Sequence, residues 1–87
     1  MAPRSEVALK AYAVNSADPQ QMAALYQGLA EQAAATLAAF EEELDWMRAE
    51  GYDNTTHPKF GAYAVLRFGV ESQRVMQEWS SWLASRL

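Results

Sequence analysis

Glu41-Glu42-Glu43-Leu44-Asp45 is the only run of like charges in the sequence. Grouped carboxylates could hold a pair of metal ions. In helical bundles such sites combine inward-facing Glu with Glu-x-x-His elements. No Glu here precedes a His at that spacing, and the chain has one histidine, His57. There is no cysteine, so thiolate metal sites and disulfides are excluded. The acidic run therefore reads as a solvated helical face. His57 stands before Pro58, a context that suits capping or packing rather than proton transfer. No phosphate-cradling glycine loop and no Gly-x-Ser-x-Gly elbow occurs. Serines and one His do not make a triad without an orienting geometry. Neither an enzyme nor a bound cofactor or metal is expected.

The other distinctive residues are aromatic or carry sulfur: three Trp, three Phe, four Tyr and four Met. At a helix–helix seam they would suit a small, flat, apolar or aromatic ligand. They are also what any helical core would use, and residue type alone leaves both readings open.

Residues 1–87 suffice for a single domain. A chain this short buries only about 60% of the surface its unfolded form exposes, so it needs an efficient core or a partner. Hydrophobic residues reach 51%, yet mean hydropathy is -0.27. The 17 alanines explain this, because alanine favours helix but brings little apolar area. The net charge is -4, and the seven Lys and Arg are scattered along the chain. Phosphate-gripping domains are basic and patchy, so no direct nucleic-acid contact is expected from this chain. No apolar run approaches the roughly 20 residues of a membrane span. Met1 to Lys10 lacks the apolar core of a signal peptide. A soluble, cytoplasmic protein is expected, and the sequon Asn54-Thr55-Thr56 then reads as chance.

The spacing predicts an all-α fold with helices at about 6–14, 19–50 and 58–86. Ser5 could cap the first, whose inner face would be Val7, Ala11 and Val14, with Leu9 and Tyr12 flanking it. Nine residues cannot hold a helix alone, so this one must dock. Asp18-Pro19-Gln20-Gln21 is a helix start with a capping box, and Gly51 can close the helix in the left-handed conformation. The stripe Met22, Tyr26, Leu29, Ala33, Leu37, Phe40, Leu44 and Met47 has one irregular step of four. A second stripe is all small: Ala24, Gly28, Ala35 and Ala39. Gly28 would be explained by close approach of another backbone, or it is a neutral surface glycine. Thr56 or His57 could cap the third helix, with Pro58 in its first turn. A seven-residue connection makes the two long helices antiparallel neighbours.

On the third helix, Arg67, Glu71, Arg74 and Glu78 should form a solvated ladder of alternating sign. Two apolar stripes remain: Val65, Phe68, Ser72, Val75, Trp79 and Trp82, and Ala62, Leu66, Gly69, Met76, Leu83 and Leu87. One can pack on the second helix. The other has no long helix to cover it. Three bare aromatics would expose roughly 500–700 Å², as much as the largest apolar patch of a typical monomer or more. A symmetric homodimer would cover that face with itself, giving a coiled-coil-like bundle.

The chain resembles the C-terminal domain of PadR-like transcriptional regulators, of the virulence-activator-alpha type. Three pieces carry the likeness across almost all of the chain. Arg4-Ser5-Glu6-Val7-Ala8-Leu9-Lys10-Ala11-Tyr12 resembles the helix that follows the winged-helix domain there. Ala30 to Met47 resembles the long helix with its Phe-Glu-Glu-Glu-Leu stretch. His57-Pro58, Leu66-Arg67-Phe68-Gly69 and Glu78-Trp79-Ser80-Ser81-Trp82-Leu83 resemble the last helix. The resemblance implies a dimerisation module that spaces two DNA-reading heads, with small apolar or phenolic effectors bound near the interface in some members. It makes Gly69, Trp79, Trp82 and Leu83 dimer or effector contacts, to which the apolar faces add Phe68, Val75 and Met76. No winged-helix segment precedes Arg4, so this chain is expected to be a piece of a longer regulator or a free-standing relic. It would not bind an operator by itself. Two other readings are a free-standing module that binds apolar ligands and an antagonist that heterodimerises with a full-length regulator.

Overall fold

The computed structural model describes residues 4–87. Three α-helices follow one another: α1 (Arg4–Tyr12), α2 (Pro19–Ala49) and α3 (Phe60–Arg86), with a 3₁₀ turn at Val14–Ser16. No strand occurs among the described residues.

Local chemistry sets the helix ends. Asp18 has extended backbone, and its Oδ1 accepts from Gln20 N–H at 3.0 Å, with Pro19 in the first helical position. This single bond caps α2, in place of the reciprocal box expected with Gln21. At the other end Gly51 takes a φ of +80°, the left-handed conformation expected of it. Gly51 N–H then donates to Arg48 O, and Tyr52 N–H to Met47 O, which satisfies two of the last carbonyls. His57 Nδ1 accepts from Lys59 N–H at 2.9 Å, and Phe60 N–H donates to His57 O. This tight turn delays α3 to Phe60, two residues later than expected. Thr56 takes no part in it, because its hydroxyl donates to Asn54 Oδ1 at 2.8 Å. Helix α1 also differs from expectation. It begins before Ser5, which lies within the helix rather than capping it, and Val14 belongs to the 3₁₀ turn.

The long helices run antiparallel. Tyr26 meets Trp79, Phe40 meets Gly69, and Arg48 meets Tyr63, so partner numbers fall along α3 as they rise along α2. On α2 the seam is Tyr26, Ala30, Ala33, Leu37, Phe40, Leu44 and Met47, all buried or half-buried. The steps are a regular four and three. The irregular step vanishes because Ala30 occupies the seam, while half-buried Leu29 packs against the cluster of Val7, Tyr26 and Leu83. On α3 the seam is Tyr63, Leu66, Val70, Gln73, Gln77, Ser80 and Ala84, with the same alternation and the same burial. Tyr63, Val70 and Ser80 belong to neither expected stripe. Tyr26 and Ser80 are fully buried in the core. Ser80 meets its polar need within its own helix, donating to Met76 Sδ at 3.5 Å.

Two apolar clusters hold the hairpin. Near the connection, Leu44, Met47, Tyr63 and Val70 are buried, with Leu37, Phe40 and Leu66 packed against them. At the open end, Val7 of α1 joins Tyr26 and Leu83. Each such side chain contributes about 1.5–3 kcal/mol on full burial. Among the side chains described on α1, Val7 is the only buried one, with Ala11 half-buried and Leu9 and Tyr12 exposed. A buried polar bond helps hold α1 in place: Tyr26 Oη donates to Val7 O at 3.0 Å inside the core. Burial also pushes the Tyr26 phenol above its ordinary pKa. The folded chain therefore favours the neutral phenol, and this group's contribution to stability is lost as pH rises past about 10.

Tyr26→Phe is expected to lower stability by about 0.5–1.5 kcal/mol and to remove that part of the alkaline loss. Thermal unfolding of both proteins between neutral pH and pH 11 checks both effects.

Candidate functional site

The α2–α3 seam decides which face of α3 stays bare. Val65 is 72% exposed, Phe68 68%, Val75 54% and Trp82 52%, and they lie along one line of the helix. Arg86 sits over the Trp82 ring at 5.8 Å from its centre, a cation–π contact at the helix end. Of the seven residues singled out for interface or effector contact, Phe68, Val75 and Trp82 stand on this open line. The other four turn toward the rest of the chain.

Gly69 is half-buried against α2. A Cβ there would lie 3.1 Å from Phe40 Cε2, so the missing side chain lets the Phe40 ring lie against α3. Met76 and Trp79 pack around Leu83 and Tyr26 at the open end, next to α1. Trp79 meets Tyr26 edge-on at 5.6 Å and 89°. This contact withdraws one of the three aromatics expected to be bare. The other stripe is mostly the inner one, although Ala62 and Leu87 are exposed. Val65, the most exposed member of the open line, was placed on a stripe but not among the contact residues. The small stripe Ala24, Gly28, Ala35 and Ala39 is exposed along its length, and no atom would lie within 4 Å of a Gly28 Cβ. Close approach within the chain therefore does not explain Gly28.

The charges are not a simple solvated ladder. Arg67 pairs with Glu71 at 3.2 Å along α3, as the spacing suggested. Arg74 instead crosses to Glu41 of α2 at 3.2 Å. Asp45 holds Arg48 at 3.2 Å, so two members of the acidic run are paired while Glu42 and Glu43 face solvent. Arg48 Nε also donates to Tyr63 Oη at 3.2 Å. That bond, with Asp45 behind it, pushes the Arg48 guanidinium above its ordinary pKa; Glu71 and then Tyr63 do the same for Arg67. His57 stacks on Tyr52 at 4.6 Å, and Tyr52 meets Trp46 edge-on at 5.4 Å, so His57 packs and shapes the turn before α3, whose N-cap is Lys59 without a side-chain cap. Among the described residues no group of His, Asp and Glu is arranged to hold a metal ion. No helix among them is long and apolar enough to cross a membrane.

The described residues thus form a helical hairpin with a short docked helix and a bare apolar line on α3. The chain belongs to the virulence activator alpha C-terminal family, whose model matches residues 3–87. That family is the C-terminal domain of a virulence-activator-type regulator, which is not an enzymatic kind. No curated protein and no solved structure matches the chain.

Gly69→Val is expected to displace Phe40 and cost about 1–3 kcal/mol. The loss should shrink in a Phe40→Ala background, because the two sites share one contact. A double-mutant cycle of thermal unfolding measures the coupling.

Proposed function

We propose that this chain is the self-association and effector-sensing module of a PadR-like transcriptional regulator. Two copies meet through α3 and so set the spacing of DNA-reading heads carried by another part of the regulator. The single observation that supports this is the line Val65, Phe68, Val75 and Trp82, bare on the last helix. Four large apolar side chains on one line approach the 300–600 Å² of the largest patch on a typical monomer, and such patches mark partner surfaces. A surface that meets itself about a two-fold axis closes the assembly at two copies. The net charge of -4 supports a module that leaves DNA contact to its partner domain, and such a regulator would work in the cytoplasm. A small apolar or aromatic effector binds at Met76, Trp79 and Leu83. Met76 and Trp79 pack against the buried cluster of Val7, Tyr26 and Leu83, where α1 meets the hairpin.

Phe68→Asp and, separately, Trp82→Asp should halve the mass in solution while leaving the far-ultraviolet circular dichroism unchanged, because both side chains are exposed within the chain. Retention of the wild-type mass by both variants would rule out this face as the interface.

Titration with planar aromatic compounds should give a saturable change in tryptophan fluorescence through Trp79. No change across a broad panel would remove the effector part and leave the rest standing.

A further inference from the structure

We infer that two copies pair with their α3 helices antiparallel, and that the outer face of α1 in each copy, Leu9 and Tyr12, covers Val65 and Phe68 of the other. The inference rests on the self-association proposed above and gives it an orientation and a second contact.

The α3 line is too small on its own. A stable protein–protein interface takes about 800 Å² from each partner, whereas this line approaches 300–600 Å². Further apolar surface has to join it, and α1 carries some. Val7 and Ala11 are turned toward the hairpin, while Leu9 is 65% and Tyr12 88% exposed. A tyrosine can bury about 150–250 Å², so Tyr12 with Leu9 makes up much of the shortfall. Within one chain these side chains cannot reach the bare end of α3. Val7 packs with Leu83, and Leu83 lies roughly 27 Å along α3 from Val65 at about 1.5 Å per residue. The nine residues of α1 span only about 13 Å. The uncovered face of α1 and the bare end of α3 therefore sit at opposite ends of the hairpin.

The two sides of the α3 line are unlike. One carries Arg67, Glu71, Arg74 and Glu78, all exposed. The other carries Gly69, Met76 and Leu83, buried or half-buried, and the last two belong with the cluster that α1 joins. A two-fold axis along the helices would set the charged side of one copy against the α1 side of the other. A two-fold axis across them sets like sides together, charged with charged and α1 side with α1 side. The second arrangement keeps the charges off apolar surface, where an uncompensated charge is costly. The signs on the charged side alternate, so reversing one copy turns Arg67 toward Glu78 and Glu71 toward Arg74 of the other. Arg67 and Arg74 are already paired within the chain, so these contacts set orientation rather than strength. The apolar positions also read alike in both directions. Val65, Phe68, Ser72, Val75, Trp79 and Trp82 follow steps of three, four, three, four and three. Reversed copies place Val65 beside Trp82 and Ser72 beside Val75. The same reversal brings the open end of one copy, with its α1, to the connection end of the other, where Val65 and Phe68 are bare.

The test is the distance between spin labels on the two copies, measured by pulsed electron paramagnetic resonance. The chain has no cysteine, so Ala64→Cys and Ser85→Cys each carry one label at an exposed position off the apolar line. In the antiparallel pair each label should lie roughly 30 Å from its own counterpart. A mixture of the two variants should add a distance below about 20 Å. Short distances between like labels and a long one in the mixture mean parallel pairing and overturn the inference. The α1 contact has its own readout. The double variant Leu9→Gln, Tyr12→Gln should raise the dissociation constant of the pair about tenfold or more with unchanged far-ultraviolet circular dichroism, and Tyr12→Phe should not raise it. A double variant that pairs as tightly as the wild type overturns the inference. A wild-type protein that is monomeric by light scattering overturns the self-association itself, and that result is distinct from a pair with the wrong orientation.

Discussion

The regular seam between α2 and α3 is the constraint on which the rest of the structure depends. Steps of four and three keep one line of each helix facing the other over its whole length. Tyr26 and Ser80 lie in that seam fully buried. Two helices can cover only one line on each other, however, and each helix has a full circumference. A third helix long enough to cover a second line is absent from the described residues. Everything else in the molecule is a response to that shortage of cover.

The response differs from place to place. At the open end Val7 of α1 joins Tyr26 and Leu83 in a buried cluster, with Met22, Leu29, Met76 and Trp79 packed against it and a bond from Tyr26 to Val7 O. Near the connection the hairpin closes itself with aromatic rings, Trp46, Tyr52 and His57 in one series and Phe60 against Tyr63 in another. In the α2–α3 cleft, charged side chains cover Leu44 and Val70 with their stems and pair with one another at the rim. The line from Val65 to Trp82 receives only Arg86, which sits over the Trp82 ring at the helix end. Surface ion pairs contribute little each, about 0–1 kcal/mol, so the apolar clusters carry the hairpin and the charges set what its surface can meet.

Much of this was legible in the sequence, and the exceptions have physical causes. Asp18 and Gly51 act through bonds to their near neighbours, so their capping roles could be read locally, whereas His57 shapes the turn before α3 without capping it. The α2 stripe was nearly right because its seam residues are mostly large. The one error, Leu29 for Ala30, arose because a bulky residue outweighs an alanine in any hydrophobic pattern. The α3 seam was hidden for a related reason. Gln73, Gln77 and Ser80 occupy three of its positions, so the apolar pattern of α3 runs beside the seam and does not mark Tyr63 and Val70 as part of it. Trp79 joined the bare stripe on spacing alone; only the placement of α1 and Tyr26 shows it covered. The contact from Arg74 to Glu41 spans 33 residues, and helical spacing, which describes neighbours on one helix, cannot indicate it.

Light scattering of the wild-type protein over a tenfold or greater dilution series tests the role of the bare α3 line most directly. Pairing through that line gives a mass near twice 9.7 kDa that falls only at the lowest concentrations. A well-folded protein of 9.7 kDa throughout the series would contradict it.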